Sequence, residues 1–311
     1  MKSVAPMNIL YIGVSKENLE KYYPSYIRGK FLKDTYTEDE LVDVVFRQDI
    51  NVLMVDVFST PFTISLLQRL KGQIELINFS YQSIDSLIDL KEATRCGIEV
   101  KKLPDNMYSN EVAEFAITQL LCACKGIIQF NGALKTGKWN QAIHSNISVR
   151  GKTLGIVGFG NIGKRISELC VNWGMKILVS RKHIDKNQSV PNITFVEYLD
   201  LIERSDFVIF AVPLNEDTFQ MFNESHIGKV GKDSIIVNIS RGDVVDEDAI
   251  HEALQSNKLF GYCTDVFSNE PIDEDHVFLD TDNTILTPHV AWATEDTLTR
   301  TYEVLFGQTI I

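Results

Sequence analysis

A chain of 311 residues, 44% hydrophobic and 23% charged, has globular composition, and its length predicts two domains rather than one. The formal net charge of −12 leaves no broad basic surface, which argues against nucleic acid and anionic membrane as partners. No apolar stretch reaches the roughly 18 residues a membrane span needs, residues 1–13 are too short and too broken by Pro6 and Asn8 for a signal peptide, and five cysteines form an odd set suited to a reducing cytoplasm.

Taken in chain order, residues 8–14, 52–57, 75–79 and 97–100 are short β-branched apolar runs predicted as strands. Residues 38–46, 63–70 and 86–96 between them carry apolar side chains at helical spacing. Such alternation predicts a parallel sheet covered by helices. Residues 109–128 form one long amphipathic pattern, with Ser109 or Asn110 as the expected cap and Glu111 and Glu114 near its positive end. This is the predicted connector between two domains. After a polar, glycine-containing stretch at 131–151, a second strand series follows at 152–157, 176–179, 207–212, 234–239, 262–266 and 284–287. Two doubly wound α/β sheets are expected, and no solenoid repeat or low-complexity tract is visible.

Gly158-Phe159-Gly160-Asn161-Ile162-Gly163 directly follows the run Leu154-Gly155-Ile156-Val157 and opens a helical stretch at 164–173. A bare GxGxxG is weak, but a strand before it and a helix after it make it a dinucleotide-binding signal. The three glycines serve a tight turn, backbone approach to a pyrophosphate and helix–strand packing, and the helix N-terminus offers N–H groups to the phosphates. About 18 to 20 residues further on, an acidic residue would grip the ribose 2′-hydroxyl of NAD. The string here is Ser180-Arg181-Lys182-His183, with no carboxylate before Asp185. Two cations and a hydroxyl suit a 2′-phosphate, so NADP(H) is the preferred cofactor, with NAD(H) as the other option.

Ligands in open α/β sheets bind beyond the carboxyl ends of strands. Arg241, Asp265, Glu270 and His289 all occupy such places. Reducing a 2-oxo acid requires a hydride donor, a proton donor and a cation to hold and polarise the substrate. His289 is the expected acid because imidazole titrates nearest neutrality. Glu270 beside it would favour the imidazolium. Arg241 would hold the carboxylate and the carbonyl oxygen.

With these residues the chain resembles the D-isomer-specific 2-hydroxyacid dehydrogenases over nearly its whole length. The resemblance is carried by Asn110 to Glu114, the glycine loop, Val212-Pro213-Leu214-Asn215 through Thr218, and Asn238-Ile239-Ser240-Arg241-Gly242. It continues in Thr264-Asp265-Val266-Phe267 with Glu270-Pro271 and in Thr287-Pro288-His289. It implies a Rossmann cofactor domain, 109–287, inserted into a flavodoxin-like substrate domain formed by 1–108 and 288–311. It also implies a catalytic set of Arg241, Glu270 and His289, with Asp265 facing the nicotinamide and Val212, Pro213, Thr218, Ile239 and Ser240 near the cofactor. A homodimer through the cofactor domains follows as well. Residues 288–293 look like the glycerate dehydrogenase and hydroxypyruvate reductase branch, which points to hydroxypyruvate or glyoxylate.

Two features depart from the family pattern. The family's glycine-containing substrate loop corresponds to residues 78–85, where no glycine occurs and where Ser80, Tyr81 and Gln82 are the expected substrate contacts. Bulky Tyr81 and Gln82 there narrow the pocket or alter how the carboxylate is held. Only 22 residues follow His289, so a short returning helix is expected. Trp292 is expected either to pack or to line the substrate. Cys122 and Cys124 fit a helix core, and His144, His183, His226, His251 and His276 lack ligand spacing, so no metal is expected. The competing reading is an NAD(P)H-sensing interaction protein on the same fold. A third is a family member oxidising another hydride donor, such as formate or phosphite.

Overall fold

The computed structural model describes residues 8–22, 29–33, 36–56, 61–84, 87–139, 146–182 and 190–310. Val57, Asp85, Ser86, His144, His183 and Asp185, which entered the sequence reading, lie outside them. The chain divides into two compact units, Met1–Met107 with Thr294–Ile311, and Tyr108–Ala293. The second boundary lies six residues beyond the one expected at 287/288. Residues 288–293 stay with the second unit because the Val290 and Ala291 amides bond to the Asp265 carboxylate.

In the first unit the order is β1 (Ile9–Ile12), α1 (Lys16–Tyr22), β2 (Lys30–Leu32), α2 (Glu38–Arg47), β3 (Val52–Val55), α3 (Ile64–Leu70), β4 (Leu76–Phe79), α4 (Leu90–Cys96) and β5 (Glu99–Lys101). All strands pair in parallel in the order β2-β1-β3-β4-β5, the flavodoxin-like arrangement. β3 and β4 are buried on both faces, as a covered parallel sheet requires. Thr37 caps α2 in a reciprocal capping box with Glu40, and Asp89 caps α4, which ends at Gly97 in the left-handed conformation. The helix expected at 86–96 therefore starts later, at the residue after its aspartate cap.

The second unit opens with α5 (Ser109–Lys125) and α6 (Ile127–Lys135). The single helix expected at 109–128 is thus two, because Gly126 between them adopts φ +58° and ends α5 with a left-handed cap. Neither Ser109 nor Asn110 caps α5; Tyr108 occupies that place and makes no side-chain capping bond. There follow β6 (Thr153–Val157), α7 (Asn161–Val171), β7 (Lys176–Ser180), β8 (Ile193–Phe195), α8 (Tyr198–Arg204), β9 (Phe207–Phe210), α9 (Glu224–Ile227), β10 (Ile235–Asn238), α10 (Glu247–Gln255), β11 (Gly261–Thr264) and β12 (Thr284–Leu286). The parallel order β12-β11-β10-β9-β6-β7-β8 reverses at β6 beside β9, the switch point of a Rossmann sheet. Period-two alternation sends Ile156, Ile209 and Val237 into the core beneath α5 and α7, and Val157, Val208 and Ile236 into the core on the other face.

The last helix, α11 (Glu295–Ile310), belongs to the first unit and is 16 residues long, not the short helix expected. The buried Asn78 of β4 donates to the Leu305 carbonyl (3.0 Å) and to Thr309 Oγ1 (3.1 Å), while Lys101 Nζ donates to the Gln308 carbonyl. No described helix is long and apolar enough to cross a membrane. All five cysteines are free.

Candidate active site

The glycine loop joins β6 to α7 at the sheet's switch point. Gly158 has φ +101°, and a Cβ there would lie 2.3 Å from the Ala211 carbonyl oxygen, so no other residue fits the turn. A Cβ on Gly163 would lie 2.2 Å from the Gly158 carbonyl oxygen, which explains why helix and strand can approach. Gly160 is the N-cap of α7 without any side-chain cap, and a Cβ there would meet nothing within 4 Å. Uncapped N–H groups beside open space are the cradle a pyrophosphate needs, so these residues fit a dinucleotide. α7 begins at Asn161, three residues earlier than expected, which makes Asn161, Ile162 and Gly163 its first turn.

At the end of β7, Ser180 is buried and its carbonyl accepts the Gly158 amide at 2.8 Å. The Arg181 guanidinium lies over the Phe195 ring at 5.1 Å, and Phe159 meets the same ring edge-on at 5.2 Å. Lys182 is ion-paired with Asp217. Beyond β9, the Val212 amide donates to Ser240 Oγ (3.0 Å), and Thr218 Oγ1 closes its loop by donating to the Pro213 carbonyl (2.6 Å). The Ser240 turn is braced by Asn238, whose Oδ1 accepts the Ser240 amide and whose Nδ2 donates to the Arg241 carbonyl. Ile239 between them is buried.

Arg241, Glu270 and His289 stand beyond the carboxyl ends of the adjacent strands β10, β11 and β12. Arg241 is half-buried and its Nη1 donates to the Ser240 carbonyl at 2.7 Å. Burial pulls its guanidinium below the ordinary value, opposed by the charge of Glu270. Glu270 Oε2 and His289 Nδ1 are 2.7 Å apart. Glu270 Oε1 accepts the Phe267 amide at 2.9 Å. Burial pushes the Glu270 carboxyl up, but the His289 contact, the Phe267 amide and the Arg241 charge outweigh it and hold it below its usual range. His289 has φ +55°, a conformation that costs an L-residue roughly 1–2 kcal/mol.

Asp265 is buried, and its carboxylate accepts from Thr287 Oγ1 (2.6 Å), the Val290 amide (3.0 Å) and the Ala291 amide (2.7 Å). Burial pushes its carboxyl up, against the pull of these donors and of His289. Trp292 Nε1 donates to the His289 carbonyl at 3.2 Å, and its ring packs on Tyr108 at 5.4 Å. Among the described residues no group of three His, Cys, Asp or Glu side chains is arranged to hold a metal.

In the first unit, Ser80, Tyr81 and Gln82 follow β4. Ser80 Oγ donates to Asp56 Oδ1, and the Tyr81 side chain bonds to the same carboxylate. Burial raises the Asp56 carboxyl, with the two hydroxyls pulling it back. Gln82 Nε2 donates to the Pro104 carbonyl at 2.8 Å, while its own carbonyl accepts from Lys102 Nζ at 2.6 Å. Sequence reasoning missed Asp56 and Gln119, and it named Asn238 without giving it a role. Their signal is a polar residue inside an otherwise apolar strand or helix pattern.

The description "D-isomer specific 2-hydroxyacid dehydrogenase, NAD binding domain" belongs to the family model that matches residues 117–291. The chain is 36% identical over 226 residues to a glyoxylate reductase of Korarchaeum cryptofilum, covering 70% of this chain and 67% of that protein. It is 32% identical over 264 residues to a hydroxypyruvate reductase of Thermotoga maritima, covering 83% of each. The alignments span about two thirds of the length of the glyoxylate reductases matched. The solved structure of a 2-hydroxyacid dehydrogenase from Ketogulonicigenium vulgare superposes with a TM-score of 0.84 over 97% of this chain and 94% of that one, at 24% identity, a likeness of fold.

Proposed function

Because the chain belongs to the D-isomer-specific 2-hydroxyacid dehydrogenases, NAD(P)-dependent oxidoreductases, we propose that it reduces a small 2-oxo acid such as glyoxylate or hydroxypyruvate, with NADPH preferred over NADH. The observation that carries this reading is the 2.7 Å contact between His289 Nδ1 and Glu270 Oε2, beside Arg241 on the neighbouring strand end.

A reduced nicotinamide bound at the glycine loop would supply the hydride. Arg241 binds the substrate carboxylate and polarises the carbonyl through paired N–H donors. Since Nδ1 faces Glu270, Nε2 is the atom that hands its proton to the developing alkoxide, and the Glu270 carboxylate stabilises the imidazolium until it does. The glycine loop would hold the pyrophosphate of that cofactor, with Phe159, Asn161 and Ile162 around it. Val212, Pro213, Thr218, Ile239, Ser240 and Asp265 would border the rest of the cofactor. Ser80, Tyr81 and Gln82 in the first unit and Trp292 in the second are each candidate substrate contacts. Arg181, its guanidinium over the Phe195 ring, with Ser180 and the Asp217-paired Lys182 beside it, favours the 2′-phosphate.

The exposed Ile127, Ile128, Leu134 and Trp139, on and just after α6, which buries no residue of its own, support a homodimer through this unit. Five free thiols fit a cytoplasmic setting. The reading is tested by following nicotinamide absorbance with NADPH and NADH against glyoxylate, hydroxypyruvate, pyruvate and bulkier 2-oxo acids. Turnover with NADPH that disappears in His289→Ala is the expected result. Cofactor binding without reduction of any 2-oxo acid would replace this reading with the nucleotide-sensing one.

A further inference from the structure

His289 keeps a left-handed backbone, although nothing in its own side chain requires one. The chain on both sides of it is held by a single carboxylate. Before His289, Thr287 Oγ1 donates to Asp265 Oδ1 at 2.6 Å; after it, the Val290 amide reaches the same oxygen and the Ala291 amide reaches Oδ2. The His289 amide closes the turn on the Thr287 carbonyl at 3.1 Å.

The Thr287 hydroxyl has one hydrogen and two acceptors in reach, Asp265 Oδ1 at 2.6 Å and the Thr264 carbonyl at 3.4 Å. Gln119, buried on α5, decides between them. Its Nε2 donates to the Thr264 carbonyl (3.2 Å) and to Thr287 Oγ1 (3.0 Å). A carbonyl can only accept, so the amide must present its nitrogen, and both lone pairs of the Thr264 carbonyl are engaged, one by that donor and one by the Thr287 amide at 3.1 Å. Thr287 then accepts from Gln119 and gives its own hydrogen to Asp265. The Gln119 Oε1 atom is buried with no hydrogen-bond partner. By packing alone a leucine would suit this face, which lies among Ala116, Ile117 and Leu120. What the glutamine adds is the donor.

We infer that Gln119 and Thr287 are positioning residues that, through Asp265, hold the left-handed His289 backbone and so set the imidazole against Glu270. The inference rests on the reading of His289 as the proton donor.

Thr287→Val removes the hydroxyl at nearly constant shape, Thr287→Ser restores it, and Gln119→Leu removes the terminal donor. For each holoenzyme, kcat and KM for the 2-oxo acid and the NADPH dissociation constant are measured. The Glu270 carboxyl is titrated by carbon NMR, a readout that a merely structural role leaves unmoved. Thr287→Val is expected to lower kcat about 10- to 100-fold, the scale of a small misplacement of a reacting group. NADPH affinity should stay at the wild-type value, and the Glu270 carboxyl should titrate at higher pH once His289 is no longer aligned. Thr287→Ser keeps the wild-type values, and Gln119→Leu shifts in the same direction as Thr287→Val. Wild-type kcat and Glu270 titration in Thr287→Val overturn the inference, as does a Thr287→Ser as impaired as Thr287→Val. If the wild-type enzyme reduces no 2-oxo acid, the functional reading fails, and the Glu270 titration alone decides the positioning role.

Discussion

Gly242→Ala tests whether Arg241 and Glu270 are held by one backbone contact. Gly242 follows Arg241, and a Cβ placed on it would lie 1.9 Å from the Phe267 carbonyl carbon, 2.0 Å from the Ser268 nitrogen and 2.4 Å from the Phe267 oxygen. These are backbone atoms, so no side chain can swing aside. Opening the shortest approach to 3.0 Å, below which real Cβ contacts are essentially never found, displaces one segment by about 1.1 Å. One segment carries Arg241. The other anchors Glu270, whose Oε1 accepts the Phe267 amide. A misplacement near 1 Å costs on the order of 100-fold in rate, and overpacking costs about 1–3 kcal/mol of stability. Nicotinamide absorbance with glyoxylate or hydroxypyruvate should therefore show kcat reduced about 100-fold, with a melting temperature several degrees lower. NADPH binding, measured by fluorescence, should weaken far less than turnover, because the glycine loop lies on a different strand even though Ser240 and Asp265 flank the clash. A variant that melts earlier yet keeps kcat within about twofold of wild type would refute the coupling, since the clash would then have been absorbed away from both residues.

Other perturbations reach the remaining parts of the site. Glu270→Gln should abolish most turnover. It should also remove a carboxyl whose folded value lies below the ordinary 4.5, a contribution to stability that is present above that pH and fades as acid titrates the folded carboxylate. The urea midpoint of the wild type should thus exceed that of the variant at neutral pH, with the gap closing in acid; a gap independent of pH counts against the ion pair. Arg181→Ala should raise KM for NADPH about 10-fold or more through loss of a charged hydrogen bond, while KM for NADH changes little; equal changes for both cofactors would assign Arg181 a role unrelated to the 2′-phosphate. Ile128→Glu places a charge on the exposed apolar face of α6 and should convert a dimer to a monomer in light scattering, whereas an unchanged mass puts any interface elsewhere.

What was legible in the sequence is what obeys a local rule. The glycine loop announces itself because strand, turn and helix are contiguous, and Arg241, Glu270 and His289 stand out because each is polar just after an apolar run. The edge strands β2 and β8, three residues each, were missed, whereas the equally short edge strands β5 and β12 overlap the predicted runs 97–100 and 284–287. The break between α5 and α6 was missed because glycine within an amphipathic pattern is often tolerated, and only its φ of +58° reveals a cap. The support of the site escaped for a different reason. Gln119 and Thr287 are 168 positions apart, and nothing near either one in the chain indicates that they share a hydrogen bond. Gly242 likewise reads as an ordinary turn glycine until Phe267 is packed against it. Residues that meet a ligand are displayed at strand ends, where a topological rule points to them, whereas residues that hold those residues in place are specified only by packing. Removing a hydroxyl at Thr287 or adding a methyl at Gly242 changes no group that meets substrate or nicotinamide, so loss of rate in either variant would measure how much of this catalysis resides in placement.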